Sequence, residues 1–107
     1  MSLTTQVLER DGDLIIAMTG RIDRDAAAEL ESAYSAARTH AAVELDFAAV
    51  EYINSTGIAL IVGVLARARA DGVRLRASGL TPHYRHIFEI TRLSDFIEIA
   101  PSDEQPS

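Results

Sequence analysis

Residues 52–63 have the sequence YINSTGIALIVG, and this stretch decides the fold. Three polar residues that favour helix N-caps, Asn54, Ser55 and Thr56, separate the end of an apolar strand from a helix that we expect to reach residue 70. Either Asn54 or Ser55 caps this helix, which leaves hydroxyl and backbone N–H groups facing solvent. Such a terminus attracts anions and tolerates a phosphate on a serine. The alternative is that these residues only cap the helix.

The predicted helix is apolar on nearly every side. The expected core positions are Ile58, Ile61, Val62 and Leu65. The expected exposed positions, which would bind a partner, are Leu60, Gly63, Val64 and Arg67. A helix that is apolar all round is either fully buried or covered by a partner, and full burial is difficult in a small domain. An apolar surface beside a hydroxyl cluster therefore indicates protein recognition, unless Leu60 packs under a loop.

Strands and helices alternate along the rest of the chain. Strands are predicted at residues 4–10, 14–19, 42–47, 73–77 and 96–99, and residues 50–53 extend the sheet edge. A first helix begins behind Asp23, which is placed to cap it, and a third helix covers residues 83–91 behind a Thr81 cap. The order β-β-α-β-α-β-α-β predicts an α/β fold: a mixed sheet of four to five strands flanked by three helices, mostly on one side.

Length and charge limit the classes of function. The chain has 107 residues, which predicts one domain over residues 1–107, with residues 101–107 as a disordered tail. It has no cysteine and a net charge of −6, and all ten basic residues are arginines. The absence of cysteine excludes disulfides and thiolate metal sites. An acidic chain without a basic stripe or a long apolar segment favours a cytoplasmic protein that binds neither nucleic acid nor membranes.

Catalytic and metal-binding patterns are weak. The chain has no nucleophile elbow and no glycine-rich phosphate loop, so we expect that it is not an enzyme and binds no cofactor. No sequence motif supports nucleotide binding. His83, His86 and Glu89 have a spacing that can hold a metal ion, but it also describes an ordinary polar helix face. We therefore predict no metal site.

Five segments together resemble the STAS family, which includes domains of sulfate transporters and anti-sigma factor antagonists. They are TGRID at 19–23, VELD at 43–46, YINSTGI at 52–58, DGVRL at 71–75 and IFEITRLSDF at 87–96. No single segment is diagnostic, but their order and spacing are specific. The chain is most similar to the small stand-alone bacterial anti-sigma factor antagonists.

The resemblance implies a phosphorylation switch. Ser55 matches the serine that is phosphorylated in that group, with Thr56 as the alternative, and Gly57 matches the glycine of the same motif. Asp23 matches the aspartate that lies close to the phosphorylation site in the family fold. We predict that the partner-binding surface joins the exposed helix positions to Asp23, Asn54, Ser55, Thr56 and Gly57. The implied partners are a GHKL-type serine-kinase anti-sigma factor and a serine phosphatase, and the chain itself would be a monomer or weak dimer. The alternative is a STAS subunit of another assembly, either a non-sigma signalling complex or the cytoplasmic subunit of a lipid transporter.

The sequence departs from the family pattern in two places. Asn54 replaces the usual aspartate, so the position can still cap a helix but lacks the negative charge. The family commonly ends with a fourth helix, for which residues 100–107, with two prolines, leave little room. We therefore expect one face of the sheet or of the first helix to be less covered, or to be filled by a partner.

Overall fold

The computed structural model describes residues 3–100, which form five strands and three helices. The strands are β1 (Thr4–Arg10), β2 (Asp13–Ile22), β3 (Ala42–Ile53), β4 (Arg74–Ser78) and β5 (Glu98–Ile99). The helices are α1 (Ala27–Ala37), α2 (Ser55–Asp71) and α3 (Pro82–Ile90). Short 3-10 turns at Arg24–Ala26 and Leu93–Asp95 precede α1 and β5. The predicted strand at 42–47 and its extension at 50–53 form one continuous strand.

The strands form a single mixed sheet in the order β1-β2-β3-β4-β5. Asp11 and Gly12 join β1 and β2 as an antiparallel hairpin, and both have the positive φ, 53° and 88°, that a tight hairpin turn needs. Strands β2 to β5 run parallel. Each parallel strand lies beside the previous one, so right-handed crossovers carry the connecting helices to one face. The predicted α/β fold and element order are confirmed.

The two faces of the sheet differ in character. Ile16, Leu45 and Ala77 lie in register on three neighbouring strands and are buried in the core. The opposite face carries Glu44 and Arg76, which are cross-strand neighbours on β3 and β4. On β3 and β4, alternation therefore directs the apolar side chains to the helices and the charged side chains away from them.

The helical layer is not continuous. Helix α1 packs on β1 and β2, and α2 packs on β2, β3 and β4. Helix α3 places Phe88 edge-on against Phe47 of β3, with 5.8 Å between the ring centroids. Within residues 3–100, β5 is flanked by the Leu93–Asp95 turn and by no closely packed helix. The layer therefore has a gap over β5, beyond the part of β4 that α2 covers.

The rotation of α2 about its axis differs from the prediction. Val64, which we expected to be exposed, is only 6% exposed, whereas Val62, which we expected in the core, is 44% exposed. Helix α1 packs on the flank of α2 that carries Val64, and the flank that carries Val62 faces the gap in the helical layer. The predictions for Val62 and Val64 are thus wrong, and those for Ile61 and Leu65 are confirmed. The buried positions of α2 are Gly57, Ile61, Val64, Leu65 and Ala68.

Two further expectations concern the ends of the chain and the membrane. The predicted tail, residues 101–107, lies outside the described residues, and the assignment of 1–107 to one domain stays a prediction. No helix within residues 3–100 combines the length and the apolarity needed to cross a bilayer.

The rotation of α2 predicts different costs for the same substitution at two nearby positions. Val64→Ala should lower the free energy of unfolding by about 1.5–3 kcal/mol, because it removes buried methyl groups and leaves a cavity. Val62→Ala should change it by no more than about 0.5 kcal/mol, because that side chain is exposed. Urea unfolding of both variants checks the prediction, and equal costs, or a larger cost at Val62, would contradict this rotation of α2.

Candidate functional site

Asn54 caps helix α2. Its side-chain oxygen accepts a hydrogen bond from the Gly57 backbone N–H at 2.8 Å, and its own backbone N–H donates to the Ile22 carbonyl oxygen at 3.3 Å. Of the two cap candidates, Asn54 therefore performs this role and Ser55 does not. The asparagine also joins the end of β3 to the end of β2.

Ser55 and Thr56 occupy the first two positions of α2, and both residues are exposed. The Gly57 N–H is taken by the cap, and the Ile58 N–H donates to the Asn54 carbonyl oxygen at 2.9 Å. Within residues 3–100, the N–H groups of Ser55 and Thr56 are left without an acceptor. The first turn therefore combines exposed hydroxyl groups, free donors and the positive end of the helix dipole.

Gly57 lies where the first turn of α2 comes very close to the end of β2. A Cβ atom built at Gly57 would lie 2.7 Å from the carbonyl carbon of Ile22 and still closer to its oxygen. No side chain fits at this position unless the backbone moves. The requirement for glycine here is steric. Because glycine allows this close approach, the first turn of α2 lies directly over the end of β2.

Asp23 follows Ile22 and is held in place by two contacts. Its carboxylate accepts a hydrogen bond from the Asp25 backbone N–H at 3.0 Å, which caps the 3-10 turn. The predicted cap of the first helix therefore lies on the turn before it, and α1 itself begins after Ala26 without a side-chain cap. The same carboxylate lies 3.8 Å from the Arg21 Nε atom, and the Arg21 guanidinium stacks 4.4 Å from the centroid of the Tyr52 ring. The structure thus brings Asp23 next to Asn54, with its charge paired.

Arg21 and Tyr52 did not appear among the predicted site residues. They are register partners on β2 and β3, at a point where the pairing of the two strands is irregular. Both residues lie inside the segments that carry the family resemblance, but only the register shows that they meet.

Helix α3 supports the same strand end. The Tyr84 hydroxyl oxygen accepts a hydrogen bond from the Ile53 backbone N–H at 3.0 Å. Thr81 caps α3 by accepting from the Tyr84 N–H at 3.2 Å, as predicted. The residue before Asn54 is therefore fixed from both sides, by β2 and by α3.

The other predicted partner-binding residues line a groove of about 440 Å³ between α1 and α2. Leu60 and Arg67 are partly exposed, as predicted, and Gly63 is exposed. Val64 also lines the groove but is buried, because α1 packs against it. Ser55, Ala59 and Gly63 recur every four residues on the outward face of α2, so small residues connect the hydroxyl cluster to the groove.

Arg67 holds α1 and α2 together. Its guanidinium donates a hydrogen bond to Glu31 of α1 at 2.8 Å and lies 5.1 Å from the centroid of the Tyr34 ring. The Tyr34 hydroxyl donates to the Asp71 carboxylate at the end of α2, at 2.8 Å. Burial, together with this hydrogen bond to an anion, raises the pKa of Tyr34 from 10.0 to about 12.

The histidine cluster considered as a metal site is not assembled as one. The His83 ring packs against Tyr84, with 5.0 Å between centroids, and the His86 Nδ1 atom lies 3.9 Å from Glu89. In the part of the chain from 3 to 100, no group of three His, Cys, Asp or Glu side chains is arranged to hold a metal ion. These side chains form a polar face of α3.

Comparisons with known proteins point to one family. The chain matches the family model described as "Mlab, STAS domain" over residues 5–99. It is 34% identical over 102 residues to the anti-sigma-B factor antagonist of Listeria monocytogenes, which covers 92% of this chain and 90% of that protein.

Solved structures show the same fold. An anti-sigma factor antagonist from Mycobacterium paratuberculosis matches with a TM-score of 0.78 and 24% identity, over 95% of this chain and 88% of that one. The Bacillus cell-fate determinant SpoIIAA in its phosphorylated form matches with a TM-score of 0.68 and 19% identity, over 94% of this chain and 95% of that one.

Two glycines of α2 should respond in opposite ways to alanine. Gly57→Ala should lower the free energy of unfolding by about 3 kcal/mol or more, because the new methyl group meets the Ile22 carbonyl. Gly63→Ala should raise it by up to about 1 kcal/mol, because no atom lies within 4 Å of the new Cβ and alanine is the better helix former. Chemical denaturation of both variants measures the difference, and a tolerated Gly57→Ala would refute the close approach.

The raised pKa of Tyr34 predicts a loss of stability at high pH. The unfolded tyrosine ionises near pH 10 and the folded one near 12, so its contribution is complete below pH 10 and is lost as the pH rises towards 12. Tyr34→Phe should be less stable than wild type at pH 8, by about 0.5–1.5 kcal/mol. It should also lose less stability than wild type between pH 10 and 12. Urea unfolding across this range checks both effects, and parallel pH profiles would exclude a folded-state shift at Tyr34.

Proposed function

The chain belongs to the STAS domain family, and from this premise we propose that it is an anti-sigma factor antagonist controlled by phosphorylation of Ser55. In its unphosphorylated form it binds a GHKL-type serine-kinase anti-sigma factor, so that the sigma factor is released. The kinase phosphorylates Ser55 and the antagonist dissociates. A serine phosphatase restores the binding form.

The observation that carries this proposal is the position of Ser55 at the start of α2. Ser55 is exposed, and Asn54 supplies the helix cap, so the serine side chain is not needed to stabilise the helix. A hydroxyl group on a rigid, accessible helix terminus suits a kinase substrate. The Listeria relative is named for anti-sigma factor antagonism, which supports the same class of function.

The local electrostatics tolerate a phosphate at this position. Phosphorylation adds roughly −1.5 to −2 charges at pH 7. The free N–H groups of Ser55 and Thr56 and the helix dipole favour this charge. The nearby carboxylate of Asp23 is paired with Arg21 and already accepts a backbone hydrogen bond, which limits the repulsion. The phosphate therefore leaves the fold intact, and its effect falls on the partner.

The partner-binding surface runs along α2 from the phosphorylation site to the groove beside α1. Small residues at Ala59 and Gly63 allow the backbone of a partner to come close, and the partly exposed Leu60 supplies apolar contact. A phosphate at one end of this surface would place an unpaired charge in the interface, which is costly when it is buried. A loss of about 2.8 kcal/mol weakens binding a hundredfold, enough for a switch.

The remaining parts of the proposal follow from this role. The chain acts by binding, without catalytic activity or cofactor of its own, and works in the cytoplasm as a monomer or weak dimer.

The second candidate function is that of a STAS subunit in another assembly, such as a lipid transporter. The family model described as "Mlab, STAS domain" and the uncharged Asn54 favour it. A stoichiometric ABC ATPase partner, in place of a GHKL-type kinase, would decide for this alternative.

Incubation with ATP and a GHKL-type serine kinase from the same genome tests the phosphorylation site. Mass spectrometry should find one phosphate on wild type and on the matched control Thr56→Ala, and none on Ser55→Ala. Phosphate lost in Thr56→Ala and retained in Ser55→Ala would move the switch to Thr56. Phosphate on any other residue would remove the switch from this helix.

Calorimetry against the same kinase tests the effect on affinity. Ser55→Ala should bind as tightly as the unphosphorylated wild type, and the phosphorylated protein roughly a hundredfold more weakly. Ser55→Asp should lie between them, because it carries about half the charge of a phosphate. Ala59→Glu, an exposed substitution on the same surface, should weaken binding without changing the melting temperature. Equal affinities for all forms would leave Ser55 as a helix residue without a regulatory role.

A further inference from the structure

A slot beside α2 lies open in the helical layer. Within residues 3–100, α1 and α2 cover the strands only as far as β4, and β5 is flanked by the Leu93–Asp95 turn. The slot lies on the flank of α2 opposite α1, so it is separate from the partner-binding surface proposed above. Its walls are α2 on one side and the segment from Leu93 to β5 on the other.

Two adjoining grooves make up this slot, one of about 480 Å³ towards β4 and one of about 330 Å³ towards the end of α3. Leu65, Arg69 and Phe96 line both grooves. The slot therefore follows the axis of α2 from Val62 to Arg69, about two turns, which is the shape that a parallel or antiparallel helix would fill.

The slot exposes apolar side chains that the fold does not use. Phe96 is 56% exposed and Val62 is 44% exposed, and both line the groove towards α3. The Arg69 guanidinium lies 5.3 Å from the centroid of the Phe96 ring and holds the ring at the surface. Large exposed apolar residues gathered along one groove indicate a docking surface.

The charged side chains around the slot favour an occupant with acidic residues. Arg69 and Arg74 line the slot and form no ion pair with a carboxylate of residues 3–100. The two acidic residues of the slot are already paired: Asp95 lies 3.0 Å from Arg92, and Glu98 lies 3.7 Å from Arg76. A chain of net charge −6 thus presents, along this groove, two arginines that no carboxylate of residues 3–100 pairs with.

We propose that this slot binds an amphipathic helix of a partner protein, with its apolar face on Val62, Leu65 and Phe96 and acidic residues beside Arg69 and Arg74. The helix completes the layer over β5 and leaves the Ser55 surface free for a second protein. Residues 101–107 of this sequence, PSDEQPS, carry acidic groups but no aliphatic or aromatic side chain beyond proline, so they do not supply the apolar face.

The probe is a synthetic helical peptide of about four turns with leucines along one face and glutamates on both sides. Titration into the isotope-labelled full chain should shift the backbone amide signals of Val62, Leu65, Arg69 and Phe96. Two control peptides are used: one with lysine in place of glutamate, and one with the same composition but scattered leucines. Both should bind at least roughly tenfold more weakly than the probe.

Variants on the two flanks of α2 separate the slot from the Ser55 surface. Phe96→Asp and Val62→Glu change exposed side chains, so both variants should stay folded. Each should weaken the binding of the acidic peptide at least roughly tenfold. Ala59→Glu, on the outward face, should leave its affinity unchanged. None of these readings depends on phosphorylation, so the proposal stands or fails separately from the role of Ser55.

Four results would overturn the proposal. They are the absence of amide shifts at the slot, equal binding of either control peptide, shifts centred on the α1 side of α2, and peptide binding that appears only after residues 101–107 are deleted. A fifth result would reassign the occupant to a second copy of this chain: concentration-dependent dimers in analytical ultracentrifugation that Phe96→Asp abolishes.

Discussion

The contact between the Ile22 carbonyl and Gly57 is the constraint on which the site depends. Because no Cβ fits there, the first turn of α2 sits directly on the end of β2. The same carbonyl oxygen accepts a hydrogen bond from the Asn54 N–H, which fixes the helix cap. Because Asn54 is the cap, Ser55 lies at the first helical position, on the exposed surface. One close approach thus determines where the exposed hydroxyl lies and which charged groups surround it.

A rigid site of this kind suggests a switch that acts through its surface charge. The strand end before Asn54 is held by β2 and by the Tyr84 hydroxyl of α3, and α1 and α2 are joined through Arg67 and Glu31. The Ser55 and Thr56 N–H groups, which have no acceptor within residues 3–100, would favour the charge of a phosphate. In this account the chain does not rearrange on phosphorylation, and the free energy of the switch arises in the interface with the partner.

The sequence alone was sufficient for the fold, and it failed where orientation is set by distant packing; the role of the candidate site stays a prediction. Turn and cap residues such as Gly12 and Thr81 act through local geometry, so their roles could be predicted, and the cap of α2 could be narrowed to Asn54 or Ser55. The apolar sequence of α2 fits several rotations about its axis, and only the position of α1 and the gap over β5 place Val64 inside and Val62 outside. The Arg21–Tyr52 contact depends on an irregular strand register that no local pattern contains.

The most direct test of a surface-charge switch compares the protein carrying phosphoserine at position 55, incorporated during synthesis, with the unphosphorylated chain. Backbone amide spectra of the two forms should differ only around the end of β2 and the first turns of α2, and the melting temperatures should agree within a few degrees. The phosphorylated form should bind the kinase partner roughly a hundredfold more weakly. Shifts that spread across the sheet, α1 and α3, or a large drop in melting temperature, would instead show that phosphorylation acts by rearranging the fold.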